Sequence, residues 1–128
     1  MRTTVLNTAR INQIITIIEN ISDIPDKHHR SDSVQMFVGT TFDLLIGENR
    51  DAKVMGVFST FRNAAATLAQ TRFALDETYS AERESELSHH DQIVELTQRK
   101  DRAIETLREV LGYLFCIRFN EQPETDSD

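Results

Sequence analysis

Apolar residues between Asn49 and Ser80 recur at intervals of three and four residues, which is the spacing of one face of an α-helix. At about 100° per residue they fall within one wide arc, and polar residues occupy the opposite side. A second, narrower apolar strip lies beside this arc, so the pattern predicts a long helix with neighbours on two sides. The arc comprises Val54, Val57, Phe58, Phe61, Ala64, Ala65, Leu68, Leu75 and Tyr79, and the strip comprises Met55, Ala66, Ala69 and Phe73.

An isoleucine-rich segment predicts the first helix of the chain, from Thr3 or Thr4 to about Ser22. Pro25 cannot continue a helix and disfavours helical geometry at the residue before it, so we expect a connector of roughly ten residues after this helix. The apolar face of the helix comprises Ile11, Ile14, Ile17, Ile18 and Ile21.

A shorter second helix is expected to begin at a capping residue among Ser31, Asp32 and Ser33. Gly47 is typical of a helix end, and Asn49 or Asp51 can cap the next helix. The alternative is one continuous helix over residues 33–80 that tolerates Gly47 at a cost of about 1 kcal/mol. The residues expected to be buried on this second helix are Val34, Phe37, Val38, Thr41, Leu44 and Leu45.

After a charged connector over residues 81–87, Ser88 followed by Asp91 resembles a capping box and predicts the start of a fourth helix. Its last two turns, from Leu111 to Ile117, are apolar on all sides, so either the bundle itself or another chain must cover them. The inward face is expected to comprise Ile93, Leu96, Ala103, Ile104, Leu107, Val110, Leu111 and Leu114.

Four helices with short connectors predict an all-α fold, an antiparallel four-helix bundle in which helices three and four are longer than one and two. The unequal lengths leave the third and fourth helices overrunning the others by about fifteen residues, or roughly 22 Å. We expect residues 1–120 to form a single helical domain and residues 121–128 to be a disordered acidic tail.

The formal net charge of −7 argues against a nucleic-acid-binding surface and against a basic membrane helix, because both need clustered lysine and arginine. Four of the acidic residues lie in the tail. The single cysteine, Cys116, cannot form an internal disulfide, and the amino-terminal residues do not resemble a signal peptide. These features favour a cytoplasmic protein that does not enter a membrane.

Two cations interrupt the apolar faces of the long helices. Arg72 falls within the arc of helix three, and Lys100 falls within that of helix four at a level about one turn away. The pair is expected to be neutralised by Asp76 and by a carboxylate from another helix or subunit, unless the long side chains reach water. Alternatively, Arg72 and Lys100 receive an anion or an acidic segment of a partner.

The histidines give the only hint of a metal site. His28-His29 and His89-His90 lie at one end of the predicted bundle, and Asp26 and Glu86 each precede a histidine by three residues, as in di-iron bundles. Too few inward carboxylates accompany them, so we expect surface histidines and no cofactor. Neither a Ser-His-Asp order nor a glycine-rich phosphate loop appears in the sequence, and we expect no enzymatic activity.

The function predicted from these features is that of a small regulatory or adaptor module, which forms a homodimer and acts by binding another protein. The alternative is an acidic inhibitor of the immunity, antitoxin or anti-defence type, which would cover a basic nucleic-acid-binding protein or nuclease. The residues expected to bind the partner are Met55, Arg72, Phe73, Lys100, Tyr113 and Phe115.

Overall fold

The computed structural model describes residues 2–85 and 88–118, with side chains described for 7–84 and 88–117. Within these ranges the chain forms four α-helices and no strand: α1 (Arg2–Ile21), α2 (Lys27–Ile46), α3 (Ala52–Ser85) and α4 (His90–Arg118). Helices α3 and α4 have 34 and 29 residues, against 20 each for α1 and α2. The predicted helical bundle with two longer helices is therefore confirmed, whereas the predicted tail lies outside the described residues.

One continuous core joins the four helices, and α3 and α4 form its most extensive interface. The predicted arc of α3 is mostly buried, but Tyr79 is 43% exposed, because the arc continues past the end of the core. The apolar end of α4 is enclosed by the bundle itself. Its side chains at Leu111, Leu114 and Phe115 are all buried.

Helix α2 begins at Lys27, so the predicted start at residues 31–33 is wrong. The Asp26 side chain is the cap: it accepts a hydrogen bond of 2.8 Å from the backbone N–H of His29. Pro25 restricts itself and the residue before it, whereas Asp26 after it remains free to take the extended geometry of an N-cap. The connector is consequently only a few residues long.

The buried face of α2 also differs from the prediction. Leu44 is 68% exposed, while Phe42 and Ile46 are buried. The contacts of α2 with the three other helices turn its buried side toward Phe42 and Ile46, which leaves Leu44 facing solvent. Phe42 meets Phe58 of α3 in an edge-to-face arrangement, with ring centroids 4.9 Å apart.

A break separates α2 from α3, so the alternative of one continuous helix over residues 33–80 is wrong. Gly47 has a φ of 57°, a backbone conformation that favours glycine, and its N–H donates to the carbonyl of Asp43. The Asp51 carboxylate then accepts a hydrogen bond from the N–H of Lys53 at the start of α3. The predicted roles of Gly47 and Asp51 are thus confirmed.

Helices α3 and α4 extend beyond the ends of α1 and α2. The side chain of Arg30, one turn into α2, lies beside Phe73, and α3 continues for about 12 residues, or about 18 Å, past that point. This overrun is shorter than predicted because α2 starts earlier. Residues 76–99, the overrunning hairpin, contain no fully buried side chain among those described.

Candidate functional site

The six residues predicted to bind a partner do not form one surface. Arg72, Phe73 and Lys100 lie toward the overrunning hairpin. Tyr113 lies at the opposite end of the α3–α4 pair, where the Lys53 ammonium is 5.9 Å from its ring centroid, and Met55 follows Lys53 on α3. Phe115, only 4% exposed, belongs to the core, because the carboxyl-terminal turns of α4 are enclosed by the bundle.

Arg72 has a partner on another helix. Its Nη1 atom is 3.9 Å from Oε2 of Glu19 on α1, with the two side chains 37% and 26% exposed. The carboxylate expected from another helix is therefore Glu19. The Nε atom of Arg72 is buried without a hydrogen-bond partner, so the pairing engages only one end of the guanidinium.

Lys100 makes its ion pair along its own helix. The Nζ atom is 3.9 Å from a carboxylate oxygen of the adjacent Asp101, whose side chain is 66% exposed. Such a partly solvated contact contributes little to stability. Arg72 and Lys100 thus have separate carboxylate partners.

Arg30 is a buried cation that the sequence pattern did not reveal. It is 6% exposed, and its guanidinium carbon lies 3.9 Å from the ring centroid of Phe73. Its Nη1 atom also donates to the carbonyl oxygens of Ile24 and Pro25, at 2.6 and 3.3 Å. Backbone carbonyls occur at every residue, so no sequence signal distinguishes these acceptors.

This contact changes the interpretation of the second apolar strip on α3. Phe73 is covered by Arg30 of the same chain, and Ala69 is 1% exposed. Only Met55, 41% exposed, remains open at the surface. The strip is therefore not a continuous surface for a partner, because α2 covers its middle, in keeping with the neighbours predicted on two sides of this helix.

The tip of the hairpin is more helical than predicted. Helix α3 extends to Ser85, so residues 81–85 are not a connector. Ser88 accepts a hydrogen bond from the N–H of His90, and Glu82 accepts one of 2.9 Å from the N–H of His89. Glu82 therefore satisfies part of the start of α4 from the facing helix, a role that the capping-box pattern did not predict.

An open groove of about 870 Å³ runs between α3 and α4 along the overrunning hairpin. Small and apolar side chains form part of it, namely Ala74, Ala81 and Leu96, and four carboxylates line it, namely Asp76, Glu77, Glu84 and Glu95. Arg99 neutralises Glu95 at 3.0 Å. Among the described residues no cation forms a salt bridge with the other three carboxylates. We call this groove between α3 and α4 the acidic groove.

Negative charge is concentrated in this part of the chain. Residues 76–99 contain seven acidic and two basic residues, a net charge of −5, and residues 121–128 contribute −4. Since the whole chain carries −7, the remaining residues carry +2. The hairpin therefore carries about as much negative charge as the tail, to which the sequence analysis assigned part of the acidity.

The histidines do not converge on a metal-binding arrangement within the part of the chain that the structure describes, where no three His, Cys, Asp or Glu side chains are suitably grouped. His28 and His29 are exposed on the first turn of α2. His89 is half-buried, and its Nδ1 atom has no hydrogen-bond partner.

Across the described residues, no helix combines the length and the apolar character needed to cross a bilayer. No protein-family model, curated protein or solved structure matches the chain.

Proposed function

We propose that this chain is a protein-binding module, a small regulatory or adaptor protein that contacts its partner with the overrunning hairpin. The observation that supports the proposal is the continuation of α3 and α4 about 18 Å beyond the level where the shorter helices end. Helices in a bundle bury their apolar faces against neighbouring helices. In this section α3 and α4 contact each other, but α1 and α2 do not extend far enough to cover them. It therefore offers helix surface to another molecule.

Partly exposed apolar side chains on the hairpin support the same proposal. Tyr79 is 43% exposed and Val94 is 39% exposed, although both lie within regular helix. Ile93 and Leu96 are half-buried. Tyrosine is a typical anchor of protein interfaces, and exposed apolar residues with polar surroundings are typical of interaction surfaces.

A second candidate function is inhibition of a basic protein, such as a nuclease or another nucleic-acid-binding protein. The net charge of −5 on residues 76–99 favours this candidate, because it can compete with phosphates for a basic surface. Binding that weakens steeply with salt would distinguish it from an adaptor held mainly by apolar contacts.

Self-association belongs to the same proposal, at the opposite end of the α3–α4 pair. Met55 is 41% exposed there and Tyr113 is half-buried. A dimer formed through that end leaves the hairpin free for a different partner. We also propose a cytoplasmic location and a role without catalysis; the sequence contains a single cysteine, which suits a reducing compartment.

Site-specific photo-crosslinking in the native host tests the proposal. A photoreactive residue replaces Tyr79 on the hairpin or, as a matched control, the exposed Asn12 on α1. We expect a defined adduct with another protein from position 79 and none from position 12. Equal adducts at positions 79 and 12, or no adduct at position 79, would refute a binding role for the hairpin.

A further inference from the structure

We infer that the acidic groove receives a lysine- and arginine-bearing α-helix of the partner protein. This inference rests on the proposed function and specifies the chemistry of the partner at the same hairpin. Two observations support it: the helices of the hairpin are uncovered, and carboxylates in the groove have no cationic partner among the described residues.

The shape of the groove suits a helix. It lies between two antiparallel helices, and the small side chains of Ala74 and Ala81 allow close approach of a third backbone. The overrun of about 18 Å corresponds to about 12 helical residues, or three turns. A helix lying in a groove between two others is a common mode of peptide recognition.

The charges of the groove select a basic occupant. Asp76, Glu77 and Glu84 have no cationic partner among the described residues, so an incoming cation would not have to displace an existing one. Lysine and arginine can place their aliphatic stems against Leu96 while their charged ends reach these carboxylates. One partner helix can therefore satisfy both the apolar and the charged parts of the groove.

Charge also argues against the two occupants that this chain could supply itself. A second copy docking hairpin to hairpin brings one surface of −5 against another, and the carboxyl-terminal residues 121–128 carry −4. Like charges placed opposite each other in an interface oppose binding. The occupant is therefore a segment of a different, basic protein.

The probe for this inference is a synthetic helical peptide of about 16 residues, long enough for the three turns plus frayed ends, with lysines on one face and alanine and leucine on the other. It is titrated into the full chain, and binding is followed by NMR amide shifts. We expect the shifts to concentrate at residues 74–84 and 89–99, and the affinity to fall as sodium chloride rises.

Two double variants with the same net charge make the experiment specific. Glu77→Gln with Glu84→Gln removes two groove carboxylates, whereas Glu105→Gln with Glu109→Gln removes two exposed carboxylates of α4 that do not line the groove. We expect the groove variant to bind the peptide about fivefold more weakly, and the control to change by less than about twofold. Circular dichroism checks that both variants fold.

Three results would overturn the inference. Both double variants could weaken peptide binding equally, a peptide with glutamate in place of lysine could bind equally well, or the NMR amide shifts could lie elsewhere on the bundle. Self-association through the groove in the absence of peptide would instead identify a second copy as the occupant. If the peptide does not bind while the crosslink from position 79 is observed, this inference fails and the proposed function stands. If no crosslink forms from position 79, the proposed function fails, and this inference fails with it.

Discussion

Replacing Arg30 with methionine tests whether this buried cation stabilises the junction of α1, α2 and α3. The change removes a charged hydrogen-bond donor to two carbonyl oxygens and a cation stacked 3.9 Å from Phe73, while much of the side-chain stem remains. Hydrogen bonds from charged groups contribute about 1.5–3 kcal/mol, and a desolvated cation–π contact contributes about 2 kcal/mol. Burying the guanidinium costs part of this, so we expect a net loss of about 2 kcal/mol.

Urea denaturation followed by circular dichroism measures this loss. With a denaturant dependence of about 1–3 kcal/mol per molar urea, the midpoint should fall by about 1 M. Arg62→Met is the matched control, because Arg62 is exposed and its guanidinium carbon is 5.6 Å from the ring centroid of Phe58. We expect the control to change stability by less than about 0.5 kcal/mol.

A double-mutant cycle with Phe73→Leu separates the ring contact from the carbonyl hydrogen bonds. If Arg30 is stabilised by the ring, the two changes should be non-additive by about 0.5 kcal/mol or more. Strict additivity would refute the stacking contribution. A loss from Arg30→Met no larger than that of Arg62→Met would refute the structural role of Arg30 altogether.

Three further predictions follow from the other contacts. Asp26→Ala should destabilise by about 1 kcal/mol because it removes the cap of α2, and the exposed Asp32→Ala should not; thermal or urea unfolding decides. Arg72→Met and Glu19→Gln should be coupled by about 0.5–1 kcal/mol, since both side chains are partly exposed, and a double-mutant cycle giving no coupling would dismiss the pair. Light scattering at tens of micromolar should give a mass above the 14.7 kDa of one chain, and a monomer mass would remove the proposed dimer.

The helical periodicity of the sequence was sufficient for the main features of the fold. Isoleucines at intervals of three and four predicted α1, and the arc around Phe61 predicted α3. Gly47 marked the break between α2 and α3, because its backbone conformation is one that residues with a side chain rarely adopt. Helical periodicity and a glycine at a helix end can be recognised in the sequence without knowledge of the neighbouring helices.

The features that the sequence did not predict depend on contacts between distant residues. The start of α2 is a local exception: Pro25 predicts a longer connector, whereas the Asp26 side chain caps the helix immediately after the proline. Leu44 is exposed because the packing of the three other helices turns the buried side of α2 toward Phe42 and Ile46. The partner of Arg72, Glu19, lies on another helix, and its identity depends on the register between α1 and α3.

The overrunning hairpin also has a consequence for how the chain opens in solution. Because none of its described side chains is fully buried, this section can unfold locally while the core, which includes Ile18, Phe61 and Leu114, stays intact. Its backbone amides should therefore exchange with solvent deuterium faster than those of the core. A partner helix held in the groove would slow that exchange, so the surface proposed for recognition is also the section whose local stability binding would raise most.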